Sequence, residues 1–172
     1  MSCANITAGW TNDCRDSQGG IESFYIANGP VQSITETAGN ITAITVAGAP
    51  LVPGDFFEFQ TPRAVSSITE TTTASLENGT VTYEQVATII ANKMTAEKRN
   101  QLLLLAEATT LVFVAKDNNG IYWNLGTLRG AYLTAATGTT GAGFADRNGL
   151  ELTINGMEKQ PMFTVDASIV VA

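Results

Sequence analysis

The chain has 172 residues, 9 of them basic and 16 acidic, giving a net charge of −7. That balance argues against tight nucleic-acid binding, which needs cations to neutralise phosphates, and no Lys/Arg block suits an anionic membrane. Histidine is absent, which removes the usual general base and the commonest metal ligand. The length fits one domain with a real core. Charged residues are only 15% of the chain, against roughly 25% in typical soluble proteins. Either Thr, Ser, Asn and Gln supply the polar surface, or part of the surface is buried against other copies.

In chain order, residues 1–20 read as a polar, glycine-punctuated arm, and residues 21–172 as a single β-rich domain. The arm has no basic and apolar leader pattern, so the chain is expected to be made and kept in the cytosol, or released by lysis. Cys3 and Cys14 lie in the arm and are expected as thiols. The N-x-Thr sites at Asn5, Asn40 and Asn78 need a secretory route and carry no weight here. Ile21 to Ala27 predicts a strand closed by Asn28-Gly29-Pro30. Val31 to Glu36 and Ile41 to Val46 predict a hairpin around Ala38-Gly39-Asn40. Phe56 to Gln60 and Val65 to Thr73 predict two strands with a break at Pro62.

Val81 to Met94 fits two periods. Val86, Ile89, Ile90 and Lys93 make a helical stripe, whereas the stiff β-branched Val81, Thr82 and Thr88 favour a strand, the reading taken. Thr95 to Ala108 predicts the one amphipathic helix. Thr95 is its N-cap, Glu97 stands at the favourable end of the dipole, and Leu102, Leu105 and Ala106 line one face. Leu111 to Ala115, Ile121 to Leu125, Ala131 to Ala135, Leu150 to Asn155 and Met162 to Val171 complete the strands. Asp117-Asn118-Asn119-Gly120 and Asp146-Arg147-Asn148-Gly149 are strong hairpin signals, because Asn and Gly accept positive φ. Ser-Ile-Thr-Glu-Thr occurs at Ser33 to Thr37 and again at Ser67 to Thr71, and reads as low-complexity strand sequence.

Candidate chemistry is thin. Two cysteines alone do not make a structural zinc site. Gly138 to Gly143 is glycine-rich but lacks the Lys-Ser/Thr and following helix of a phosphate loop. Asp117 to Gly120 resembles the opening of a calcium loop, but Leu128 stands where a bidentate Glu is required. Asp13 and Asp16 are a weak candidate for acid–base work in a solvated arm. No cofactor and no metal are expected. Phe56, Phe57 and Phe59 are different: adjacent Phe56 and Phe57 cannot both point inward on a two-faced strand. One is therefore expected on the surface, as at an interface.

The order of these features resembles bacteriophage tail tube proteins over nearly the whole chain. It runs from Cys14-Arg15-Asp16 and Gly19-Gly20-Ile21 through Thr69-Glu70-Thr71, Glu77-Asn78-Gly79-Thr80 and Tyr83-Glu84-Gln85 to the helix with Arg99. Leu111 to Val114, Asp117 to Gly126, Asp146 to Leu152 and Gly156-Met157-Glu158 follow. The resemblance implies a mainly β fold, a β-sandwich or barrel with one flanking α-helix. It implies a structural, non-enzymatic virion subunit of the tail, assembled in host cytoplasm. The partners it implies are the chain itself in stacked hexameric rings, other tail proteins, and DNA only as transient cargo in an acidic lumen. The candidate interface residues are Cys14, Arg15, Asp16, Phe56, Phe57 and Phe59, with Phe56 to Ser75 as a stacking loop and residues 2–20 as a second contact. Neck, tail-terminator and injection-system tube roles remain open beside it. A monomeric β-sandwich module recognising carbohydrate through Tyr122 and Trp123 is the rival of another class, and a carboxylate enzyme a distant third.

Overall fold

The computed structural model describes residues 6–11 and 14–171, so Cys3, Asn5 and Asp13 lie outside the described residues. The described residues build twelve strands and two helices. The first strands are β1 (Ile21–Asn28), β2 (Val31–Thr37), β3 (Asn40–Val46) and the two-residue β4 (Ala49–Pro50). After a 3₁₀ turn at Pro53–Asp55 come β5 (Phe57–Gln60), β6 (Ser67–Ser75), β7 (Thr80–Asn92) and helix α1 (Ala96–Glu107). The remainder is β8 (Leu111–Asp117), β9 (Tyr122–Leu125), β10 (Tyr132–Thr139), β11 (Gly149–Glu158), β12 (Phe163–Val165) and helix α2 (Ala167–Val170).

These strands form two sheets. The larger has the order β2-β3-β12-β9-β8-β1-β5, with β4 also on β3; the smaller has the order β10-β11-β7-β6. The fold is therefore a β-sandwich with a flanking helix. Between the sheets lie Phe24, Ile26, Phe113 and Leu125 from the larger sheet and Ala87, Ile89, Leu152 and Ile154 from the smaller. The Phe24 and Phe113 rings meet at 5.3 Å between centroids. The run Leu111-Val112-Phe113-Val114-Ala115 is apolar throughout because both of its faces are covered. Leu111, Phe113 and Ala115 enter the inter-sheet core, and Val112 and Val114 enter a second core with Ile41, Ile44, Tyr122 and α2's Ile169 and Val170.

Helix α1 begins where the sequence predicts. The Thr95 side chain accepts the Lys98 N–H at 3.3 Å, and Glu97 stands in the first turn. Its buried face is narrower than expected: Leu105 is buried and Leu102 half-buried, but Ala106 is exposed. Leu103 and Leu104 also face outward. Three or four apolar neighbours in sequence cannot share one face of a 3.6-residue period.

The strand expected over Val81 to Met94 forms as β7, Thr80–Asn92, as its β-branched residues favour, and at 13 residues it is the longest element described. The predicted strand over Met162 to Val171 divides instead into β12 and α2, because Asp166 caps a helix by accepting the Ser168 N–H at 2.9 Å. The two helices thus replace the single one expected. Asp117 makes the β8–β9 turn, accepting the N–H groups of Asn119 at 2.8 Å and Ile121 at 2.9 Å and the Trp123 indole N–H at 3.2 Å. That carboxylate is committed to the turn, which gives the calcium-like reading of Asp117 to Gly120 a structural explanation.

The second Asp-x-Asn-Gly segment works differently. β10 and β11 do form a hairpin, but through the longer loop 140–148. Asn148 lies against the end of β7, its carbonyl accepting the Lys93 N–H at 2.6 Å. Gly149 lets the backbones close there, since a Cβ would strike the Ala91 carbonyl.

Candidate assembly surface

The smaller sheet has one buried face and one largely open face, closed at its Ile90 end by the Thr61–Ser66 corner. On β7 the inward positions are Gln85, Ala87 and Ile89, so alternation turns Thr82, Glu84, Val86 and Thr88 outward. Register extends this face sideways: Ser67 opposes Thr88, Thr69 opposes Val86 and Thr73 opposes Thr82 on β6, while Thr153 opposes Thr88 on β11. The outcome is a lawn of hydroxyls across four strands. Its strand residues include Glu84 and Glu151 but no Lys or Arg; Arg147 reaches in from the loop to pair with Glu151 at 3.0 Å.

Among the described residues, both edges of this sheet are unpaired. β6 is nine residues long with Glu70 as its single charge, and β10 is eight residues long with none. Natural edge strands are usually shortened or studded with Lys and Pro to prevent pairing with another chain. Neither device is present here. The repeated Ser-Ile-Thr-Glu-Thr falls on β2 and β6, which are edge strands of the two different sheets.

The two ends of the sheet also match. β7 pairs antiparallel with β11 from Asn92 opposite Gly149 to Tyr83 opposite Glu158. The 76–79 tip of the β6–β7 hairpin and the 140–148 tip of the β10–β11 hairpin therefore lie at opposite ends. Each carries a large apolar side chain in solvent, Leu76 at one end and Phe144 at the other, both fully exposed. The second tip is shaped by Asp146, which accepts the N–H groups of Gly143 at 2.7 Å and Ala142 at 2.9 Å. Those two bonds hold the Asp146 carboxyl below its ordinary value of 3.8.

The joint between the sheets is polar and buried. Gln85 accepts the Gly126 N–H at 2.9 Å and donates to Glu70 at 3.1 Å, and Glu70 also accepts the Met162 N–H at 2.6 Å. Gly126 has φ of +63°, and a Cβ there would overlap Gly130. At the crossover, Thr61 donates to the Ile90 carbonyl at 3.0 Å and Ser66 accepts the Ile90 N–H at 3.0 Å, while the two hydroxyls bond each other.

The sequence-predicted interface residues are not brought together. Cys14, Arg15 and Asp16 are exposed in the arm. Phe57 is the aromatic left on the surface, at 60% exposure, whereas Phe56 packs against the outer core and Phe59 against the inter-sheet core. Phe56 to Ser75 is not a loop: it consists of β5, a corner and β6, as its β-branched run favours. The hydroxyl face and the tips Leu76 and Phe144 went unread in the sequence. Alternating Ser/Thr over Ser67 to Ser75 was the signal for the first, but an isolated Leu or Phe in a turn gives none. Among the described residues no helix is long and apolar enough to cross a membrane. No family model matches this chain, and a search of curated proteins returns no match.

Proposed function

We propose that this chain is a structural subunit of a phage tail tube, which self-assembles into stacked hexameric rings around a channel for DNA. The observation that carries this reading is the geometry of the smaller sheet, with long unblunted edges at its sides and exposed apolar tips at its ends. Edges of this kind support lateral continuation of the sheet into neighbouring copies, and a closed ring uses every edge. Apolar tips at opposite ends support stacking of one ring on the next. A hydroxyl-rich face with carboxylates and no strand-borne cation gives DNA little to adhere to as it passes. In this reading the chain needs no catalytic group or cofactor, works in the virion tail, and meets other tail proteins at the ends of the tube.

The test is negative-stain electron microscopy over a concentration series, with light scattering of the soluble fraction. Rings or hollow tubes are expected from the unaltered chain. Thr71→Lys places an ammonium beside Glu84 across the strand pair, which suits the fold while blunting the β6 edge. It is expected to leave monomers. Leu76→Asp and Phe144→Asp are expected to leave single rings that no longer stack. Phe57→Asp tests the predicted aromatic contact, and is the cleaner probe because Phe56→Asp also opens the outer core. A monodisperse monomer at every concentration, with or without nucleating tail proteins, would count against the proposal.

A further inference from the structure

Asn-Gly occurs five times in this chain, at Asn28, Asn78, Asn119, Asn148 and Asn155. Glycine has no side chain to shield its backbone nitrogen, so that nitrogen can reach the side-chain carbon of the Asn before it. The reaction needs an Asn side chain free to turn onto its own main chain and a glycine N–H not spent on a hydrogen bond. It also needs backbone that can bend into a five-membered ring. The fold grants these freedoms unequally.

Three of the pairs are held. Asn119 accepts the Gln18 N–H at 2.8 Å and donates to the Gln18 carbonyl at 2.9 Å, while the Gly120 N–H donates to the Asp117 carbonyl at 3.1 Å. Asn148 accepts the Met94 N–H at 3.2 Å, and Gly149 is buried in register between Asn92 of β7 and Thr139 of β10. Asn155 donates to Glu84 at 3.1 Å from within β11, and Gly156 is buried opposite Gln85. Asn28 is exposed, but it ends β1 in register with Leu111. Val46 also crowds Gly29, where a Cβ would lie 2.5 Å from a Val46 methyl.

Asn78-Gly79 differs on every count. Both residues are exposed in the 76–79 tip, outside the β6–β7 ladder, which closes at Ser75 opposite Thr80. Nothing lies within 4 Å of where a Gly79 Cβ would stand. The Ser75 hydroxyl accepts the Asn78 backbone N–H at 3.2 Å. Among the described residues, neither the Asn78 side chain nor the Gly79 N–H has a hydrogen-bond partner. We propose that Asn78-Gly79 is a self-modification site, at which the folded chain deamidates before any of its other Asn-Gly pairs. The Gly79 nitrogen gives its proton to water and bonds to Asn78 Cγ. The Cγ–Nδ2 bond breaks, and ammonia leaves with a proton taken from water, giving a cyclic imide. Water then opens the ring at one of its two carbonyls. The product is aspartate in the ordinary linkage, or isoaspartate with a main chain one carbon longer. Nothing is oxidised or reduced. Either product sets a second carboxylate beside Glu77 and close to Leu76, so an apolar tip acquires charge. This chemistry is the same whatever the tip meets.

The test incubates the full chain in mildly alkaline buffer made with heavy-oxygen water, so that each carboxylate formed during incubation is labelled. Digestion and mass spectrometry then follow all five sites, beside light scattering on the same samples. Asn78 is expected to lead, with the other four slower by at least about tenfold, because paired or packed backbone must first open locally. In concentrated urea the five rates are expected to converge, since every site is Asn-Gly. Asn78→Gln, in an exposed turn, is expected to remove the early acidic species seen by ion exchange without changing the fold. First labelling at Asn28 or in β11, or equal rates in native buffer, would overturn the proposal. A lead at Asn78 that persists unchanged in urea would trace it to neighbouring sequence instead of the fold, and would overturn it too.

Discussion

The two sheets of this sandwich have different fates. The larger sheet is covered on both faces across its centre, with the inter-sheet core on one side and Ile41, Ile44, Val112, Val114 and α2 on the other. The smaller sheet covers one face and leaves the other to threonines. The contrast is already local. β8 is five apolar residues in succession, whereas β6 alternates hydroxyls with Ile68, Glu70 and Thr72. A strand buried twice is scaffold; a strand buried once offers a surface. The face that the smaller sheet leaves open is thus built from hydroxyl-rich rather than apolar strands.

Substitutions can break that division, beginning with the strongest. Phe113→Ala removes a fully buried ring from the doubly covered sheet and is expected to cost about 3–5 kcal/mol in denaturant melts. Gln85→Leu strikes the joint between the sheets, leaving the Gly126 N–H without its acceptor and Glu70 without its amide donor. A loss of about 1–3 kcal/mol is expected, measured the same way. Ala38 sits at φ of 52° before Gly39 in the β2–β3 turn, a left-handed conformation that strains alanine. Ala38→Asn is therefore expected to stabilise the larger sheet by about 1 kcal/mol. Thr153→Val, in the middle of the bare face, is expected to change stability by no more than about 0.5 kcal/mol. A large loss there would show that the face is not bare in solution.

The smallest effect is local and depends on pH. Asp146 is held below the ordinary carboxylate value by the Gly143 and Ala142 N–H groups. The charged form therefore steadies the 140–148 tip at pH values above that ordinary value, and this support is lost as pH falls through the lowered one. Amide resonances of Ala142 and Gly143 are expected to shift through that acidic window while those of β8 stay fixed. Asp146→Asn is expected to abolish the dependence.

Much of this fold was legible because turn chemistry is local. Ala38-Gly39 and Asp117 to Gly120 each mark a hairpin that forms. Thr95 marks the start of α1 for the same reason. The partition of strands between sheets was not legible. β1 finds β8, and β3 finds β12, through packing between residues far apart in sequence, which no short window contains. The candidate interface suffered from the same limit. A pair of phenylalanines announces that one is exposed, but only the fold decides that it is Phe57.

β12 has only three residues, but it joins β3 to β9 and so holds the β2–β3 hairpin to the rest of the larger sheet. A ribosome delivers the hairpin early and its keystone some 120 residues later, between Asn40 and Thr164 in the register. Until then the hairpin has no seat, and the larger sheet is incomplete. Such long-range closure makes folding slow compared with hairpin formation. Completion of this fold is thus timed by its last strand, so a partly translated chain has no closed larger sheet to pack the smaller one against.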